Sequence, residues 1–309
     1  MDKRRIGSLD VSVVGVGCNN FGWKVDEAGT RAVVDAALDA GINFFDTADV
    51  YGDTVSEELL GRALRGRRNR AVIATKFGFA SERCTGGASP EYVRRAAEQS
   101  LGRLGVDVID LYQLHWPDPN TPLADTLGAL DELVKAGKVR EIGCSNLTVA
   151  QLREAAASTR PGAARFVSAQ NECSLMNRDA THELLPECAR TGLAFLPYFP
   201  LASGLLTGKY RKGLAPPAGA RLTVGGKFFD GKLTDTALSL VEELVAFAGQ
   251  RGHTILDLAF SWLLAHPPVA SVIAGATAPA QISANSAAAS WQLDASDLEE
   301  LDALLARTR

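Results

Sequence analysis

Along the chain, short runs of consecutive apolar and β-branched residues alternate with longer stretches in which apolar positions recur every three or four residues. The first pattern suits a strand covered on both faces, and the second an amphipathic helix that covers it. Strands are predicted at Val13 to Val16, Ile42 to Asp46, Ala71 to Lys76, Val108 to His115, Arg140 to Cys144, Phe166 to Gln170, Ala194 to Tyr198 and Ala270 to Ala274, eight in all. Helical runs are predicted between them at 26–40, 56–65, 90–104, 122–136, 180–191 and 279–288. Asp26, Ser56 and Ser89 stand where N-caps would open three of these, Ser89 just before Pro90 at a first-turn position. Eight such strand–helix units predict an α/β chain closed as a (β/α)8 TIM barrel, with an open doubly wound sheet as the competitor. Arg4 to Val14 reads as a hairpin closing the barrel floor, turning at Gly7-Ser8 or Leu9-Asp10. Residues 203–233, rich in Gly, Pro, Lys and Arg, break the rhythm, and so long a loop at the C-terminal face is usually functional. One barrel accounts for all 309 residues as a single domain, 1–309.

Composition narrows the function classes. Apolar residues make up 46% and charged residues 22%, which excludes collagen, coiled coil and wholesale disorder. With 32 basic against 36 acidic residues, nothing attracts the chain globally to nucleic acid or anionic lipid, so small molecules are the expected partners. The most apolar C-terminal stretch, 255–276, contains Asp257, His266 and Pro267-Pro268, and no membrane span is predicted. Asp10 interrupts the only N-terminal apolar run that could serve for export. Five scattered cysteines without a C-x-x-C predict neither disulfides nor a metal site, as suits a reducing cytoplasm. The competitor fold lacks its fingerprint: the turn after the first strand, Gly15-Val16-Gly17-Cys18-Asn19-Asn20, has only two glycines, and no phosphate-binding P-loop is present.

In a β/α barrel, chemistry sits at the C-terminal ends of the strands. There the second strand ends in Asp46, with Tyr51 in the loop after it; the third ends in Lys76 and the fourth in His115. Singly, each has an ordinary structural role, but together they converge on one mouth. A carbonyl that accepts hydride needs a proton as its oxygen becomes an alkoxide. Tyr51 can deliver it, and a cation such as Lys76 nearby would lower the phenol from its usual pKa of about 10. Asp46 would hold the Lys76 ammonium while cancelling part of that effect, and His115 would orient the carbonyl oxygen. Trp23, Phe79 and Trp116 are the aromatic candidates for an apolar substrate wall, beside Tyr51 and His115. A Schiff-base reading of Lys76, as in barrel aldolases, leaves Tyr51 and Asp46 without work.

The segments FDTADVYG, ATKFG, DLYQLHWPD, GKVREIGCSN and YFPLASGLLTGKY occur in this order. In them the chain resembles the aldo-keto reductase superfamily over essentially its whole length, in the branch of bacterial and potassium-channel β-subunit-like proteins. The resemblance implies that Asp46, Tyr51, Lys76 and His115 form a catalytic tetrad working with NADP(H) on aldehydes or ketones. It further implies a cofactor site drawn from Gly22, Trp23 and Asp46. Ser145, Asn146 and Gln170 would hold the carboxamide, and Tyr198 would stack on the nicotinamide. Pro200, Leu201, Gly204, Gly208 and Lys209 would clasp the pyrophosphate, though Phe199 stands where relatives usually carry serine. Gly275, Thr277, Gln281 and Asn285 would meet the adenosine end, and Arg221 in the long loop would reach the 2′-phosphate, favouring NADPH over NADH. The same branch implies an alternative, an NADP(H)-binding redox-sensing or regulatory subunit with little turnover.

Overall fold

The structure, a computed structural model, describes residues 1–224 and 231–307, with the side chains of Arg221 and Val224 outside that description. A hairpin comes first: β1 (Lys3–Ile6) pairs antiparallel with β2 (Leu9–Ser12) across a turn at Gly7-Ser8. Among the described residues eight parallel strands follow: β3 (Val14–Gly17), β4 (Phe44–Asp46), β5 (Val72–Phe77), β6 (Ile109–Leu114), β7 (Val139–Ser145), β8 (Phe166–Glu172), β9 (Ala194–Tyr198) and β10 (Val272–Gly275). They are hydrogen-bonded in the order β10-β3-β4-β5-β6-β7-β8-β9. The ring shuts where Phe195 N–H donates to Pro268 O (2.7 Å) and Ala270 N–H to Phe195 O (3.0 Å), just ahead of β10. The predicted barrel is the observed one.

Two cores follow from the period-2 alternation of these strands. Ile6, Leu9 and Val11 of the hairpin pack with Phe44, Ala74, Leu111, Val167, Leu196 and Ile273, inside the ring and against its floor. Arg4 pins the hairpin there through the carbonyls of Val269 (2.5 Å) and Leu264 (2.8 Å). The alternate residues, such as Phe45, Ile73 and Tyr112, face outward into the helix layer.

That layer begins with α1 (Glu27–Asp39), capped by Asp26, whose carboxylate accepts from Gly29 N–H (2.8 Å). α3 (Pro90–Leu104) is capped by Ser89 and ends at Gly105, whose φ of 64° suits a residue without Cβ. Ser56 is not the cap expected of it. α2 (Val55–Ala63) starts one residue earlier, behind Thr54, and Ser56 lies buried in its first turn. The Ser56 hydroxyl donates to Cys18 O (2.8 Å) and meets the Thr47 hydroxyl (2.9 Å), tying α2 to the ends of β3 and β4.

α4 (Leu123–Lys135) and α5 (Val149–Ser158) fall on predicted runs or between predicted strands. The run 180–191 divides into α6 (Asp179–His182) and α7 (Leu184–Thr191). Pro186 supplies the reason, because its ring would clash with the His182 carbonyl four residues back. The long loop holds a 3-10 turn at Ala202–Thr207 and a short α8 (Arg221–Val224). The chain then adds α9 (Asp235–Gln250), α10 (Ile255–Leu264), α11 (Pro279–Ala288) and α12 (Ala295–Ala306). No helix among the described residues is long and apolar enough to cross a membrane.

α2 and α3 meet closely at Gly61. A Cβ there would come within 3.0 Å of the O, C and Cα of Leu104, all backbone. Gly61→Ala should therefore lower stability by about 1–3 kcal/mol in urea denaturation, the usual cost of overpacking. A variant within about 0.5 kcal/mol of the parent would show that the two helices part freely.

Candidate active site

Lys76 stands at the C-terminal end of β5 with none of its surface exposed. A buried ammonium is tolerated only when paired and hydrogen-bonded. Three oxygens meet it: Asp46 Oδ2 at 2.6 Å, Thr47 O at 2.8 Å and Tyr51 Oη at 3.4 Å. The other Asp46 oxygen accepts from Gln113 Nε2 (3.1 Å) and Gln170 Nε2 (3.0 Å). Asp46 is thus held from β5, β6 and β8 at once.

The loop after β4 hangs from β5, with Thr47 N–H on Ala74 O (2.8 Å) and Asp49 N–H on Lys76 O (3.1 Å), which carries Tyr51 over the ammonium. After Tyr51 the backbone runs through three residues of positive φ, Gly52 (57°), Asp53 (50°) and Thr54 (80°). For the last two such angles are strained. The Asp53 carboxylate holds the bend to the next loop by accepting from Ser81 Oγ (3.0 Å) and Arg83 N (3.2 Å) and by pairing with the Arg83 guanidinium (3.1 Å to Nε).

The electrostatics differ in one respect from the expectation. Burial pushes the Tyr51 phenol above its ordinary value, and although Lys76 lowers it, the nearby Asp46 charge raises it again. The net shift is upward, not downward, because burial outweighs the cation, whose own effect Asp46 partly cancels. For Lys76, burial works against the charge, but Asp46 together with Tyr51 outweighs it and the ammonium is raised above its usual range. His115 follows β6, with its N–H on Phe77 O (2.8 Å) and its ring 5.8 Å from the Tyr51 ring in an edge arrangement. Burial and the Lys76 charge push the imidazole down to about 3, and its Nδ1 is buried without a partner. A neutral imidazole at an aperture is suited to donate to, or accept from, an incoming oxygen. Phe79 and Trp116 stand exposed at the rim, the Phe79 ring 5.5 Å from His115 and 6.3 Å from Trp116. Trp23 is also exposed, with Lys24 Nζ 4.5 Å over its ring.

The residues expected to hold the nicotinamide end are joined to one another and to this cluster. Ser145 Oγ donates to Gln170 O (2.8 Å), Asn146 Nδ2 to His115 O (3.0 Å) and Tyr198 Oη to Asn146 Oδ1 (2.9 Å). Beyond Tyr198, Phe199 (50°) has positive φ, and after Pro200 and Leu201 so do Ala202 (45°), Ser203 (59°) and Gly204 (103°). The Ser203 hydroxyl is buried without a partner. A Cβ on Gly204 would strike the Lys209 side chain at 2.8 Å, so only glycine lets that amine lie over the turn that ends at Gly208. A cradle of this kind fits a dinucleotide diphosphate. At the far end, a Cβ on Gly275 would approach Asn20 Nδ2 at 3.1 Å. Gln281 turns back to accept from Thr277 N–H (2.6 Å), just ahead of α11, while Asn285 is buried. Gly22, at φ 75°, packs against Val55. The Arg221 side chain, expected at the 2′-phosphate, lies outside the described residues.

Gln113, Thr47 and Asp53 were not among the candidates. Gln113 was within reach of the period-2 pattern, which puts it on the His115 face and, in the observed register, opposite Lys76. Thr47 meets Lys76 through its backbone carbonyl, which leaves no side-chain signal, and the Asp53 carboxylate reaches partners in a different loop, which local sequence does not reveal.

The aldo/keto reductase family model matches residues 13–306. A probable aldo-keto reductase of Glycine max is 35% identical over 305 residues, covering 95% of this chain and 85% of its own length. The aldo-keto reductase YhdN of Bacillus subtilis (strain 168) is 32% identical over 309 residues, covering 97% and 92%. Among solved structures, a glycerol dehydrogenase of Gluconobacter oxydans superposes with a TM-score of 0.86 at 31% identity, covering 99% of this chain and 96% of the other. An aldo-keto reductase of Bacillus halodurans in its holo form does so at 0.81 and 30%, covering 98% and 96%. With its motifs, its barrel and these matches in agreement, the chain belongs to the aldo/keto reductase family, a family of oxidoreductases.

Proposed function

We propose that this oxidoreductase reduces aldehydes or ketones to alcohols with NADPH, using Tyr51 as general acid. The observation that carries the reading is the Tyr51 phenol held 3.4 Å from a fully buried, Asp46-bound ammonium beside a neutral imidazole at the barrel mouth. One structural neighbour is named a glycerol dehydrogenase, which supports an alcohol–carbonyl couple, and another is described in holo form, which supports a bound cofactor.

Ser145, Asn146, Gln170 and Tyr198 would hold the nicotinamide, and the segment 200–209 the diphosphate; the nicotinamide, when bound, supplies the hydride. His115 receives the carbonyl oxygen on its neutral ring. As the carbonyl carbon gains hydride, its oxygen takes the Tyr51 proton, so that C=O becomes CH–OH and Tyr51 is left as phenolate. Lys76, 3.4 Å away, stabilises that phenolate, and the raised phenol pKa keeps Tyr51 protonated at neutral pH before the step. Phe79 and Trp116 flank the entrance with apolar surface.

Tyr51→Phe should keep the fold and lose about 10² to 10⁴ in kcat, followed by NADPH absorbance with a panel of aldehydes and ketones. A variant retaining more than about a tenth of the parent kcat would remove Tyr51 from the role. His115 offers a second check. The folded protein refuses the proton that an unfolded imidazole binds at about 6.5, so His115 should stay neutral by nitrogen NMR from pH 8 down to 5. By linkage, its contribution favours the fold above about pH 6.5 and is lost as the pH falls toward 3. Titration of its ring near 6.5 would contradict the burial argument. For the cofactor, Arg221→Ala should weaken NADPH and spare NADH in fluorescence titrations. Equal weakening of both, or of neither, would send the search to Thr277, Gln281 or Lys209.

A further inference from the structure

On the outside of the barrel, α2, α3 and the loop after β5 enclose a groove of about 580 Å³. Its lining includes four arginines, Arg62, Arg65, Arg83 and Arg103, with Glu58, and three of the four are ion-paired to carboxylates behind the groove. None of the tetrad residues reaches it.

Three of the guanidiniums are gripped at Nε by carboxylates that do not line the groove: Arg62 by Glu27 (3.3 Å), Arg83 by Asp53 (3.1 Å) and Arg103 by the fully buried Glu57 (2.6 Å). The carboxylates therefore orient these side chains, and the rotamer freedom that a ligand would otherwise have to freeze is already largely spent. Arg65 has no ion pair among the described residues. The dipole of α2 favours cations at its C-terminal end and accounts for Arg62 and Arg65 in part. It does not account for Arg83, from another loop, or Arg103, from α3, converging on the same space.

Thr54, at the N-cap of α2 and in the bend beside Tyr51, also lines the groove, and its hydroxyl caps nothing.

We propose that this groove binds a small molecule carrying two or more phosphoryl groups, at a site separate from the barrel mouth. Phosphate suits it because planar guanidinium forks from several directions match tetrahedral oxyanions, and a hydroxyl such as that of Thr54 donates to the same oxygens.

Inorganic pyrophosphate is the probe, titrated calorimetrically into the full chain at low and physiological salt. With the 200–209 segment filled by saturating NADP⁺, the expected result is one saturable site whose affinity falls about tenfold in Arg65→Ala and further in the Arg62→Ala/Arg65→Ala pair. Both positions are solvent-exposed or partly so, and circular dichroism would verify that the variants are folded. Arg83→Lys, which keeps charge but loses the fork, should fall between parent and pair. Absence of saturable binding, or affinity unchanged in Arg65→Ala, overturns the proposal. Loss of binding in Lys209→Ala instead would assign the pyrophosphate to the 200–209 segment and equally overturn it. Citrate bound as tightly as pyrophosphate would refute the phosphoryl preference, and an acidic peptide bound where pyrophosphate is not would refute a small ligand.

Discussion

Everything at the mouth of this barrel is arranged around one buried contact, the Lys76 ammonium on the Asp46 carboxylate at 2.6 Å. Neither charge reaches solvent, so each must be answered from within the protein. Removing one partner of such a pair costs about 3–5 kcal/mol because the survivor is left uncompensated. The answer to Asp46 comes as two amides, Gln113 and Gln170, and the answer to Lys76 as a backbone carbonyl and a phenol. Four strands and one loop are thereby brought into a single register. The alignment of β4, β5, β6 and β8 at the mouth and the placement of Tyr51 both serve the same two charges.

The barrel was legible because its strands are apolar on both faces and its helices on one, and because Asp26 and Ser89 mark their helices unambiguously. Ser56 misled because a serine near a helix start has two uses, and here its hydroxyl serves the sheet beneath. The predicted single run at 180–191 overlooked Pro186. The four polar residues at the strand ends could be read because strand direction alone puts them on one face. The direction of the Tyr51 shift could not, since it depends on whether burial or Lys76 dominates, and that balance is set by depth and by Asp46 rather than by spacing.

Function on this scaffold is carried by backbone shape as much as by side chains. Two segments hold successive residues at positive φ, 52–54 beside Tyr51 and 202–204 beside Lys209. Each is locked by contacts from elsewhere: Asp53 on Ser81 and Arg83, Gly204 under the Lys209 amine. Substitutions at Ser81 or Arg83 thus bear on Tyr51 without touching it, as the loop that flanks Phe79 and the loop that carries the phenol move as one piece.

The hairpin at the other end has a kinetic consequence. With Ile6, Leu9 and Val11 driven into the floor, the interior is a packed plug and not a passage. Such a vessel has a single door. Whatever reaches the tetrad enters and leaves by the mouth alone, since the floor beneath Lys76 and Asp46 is solid.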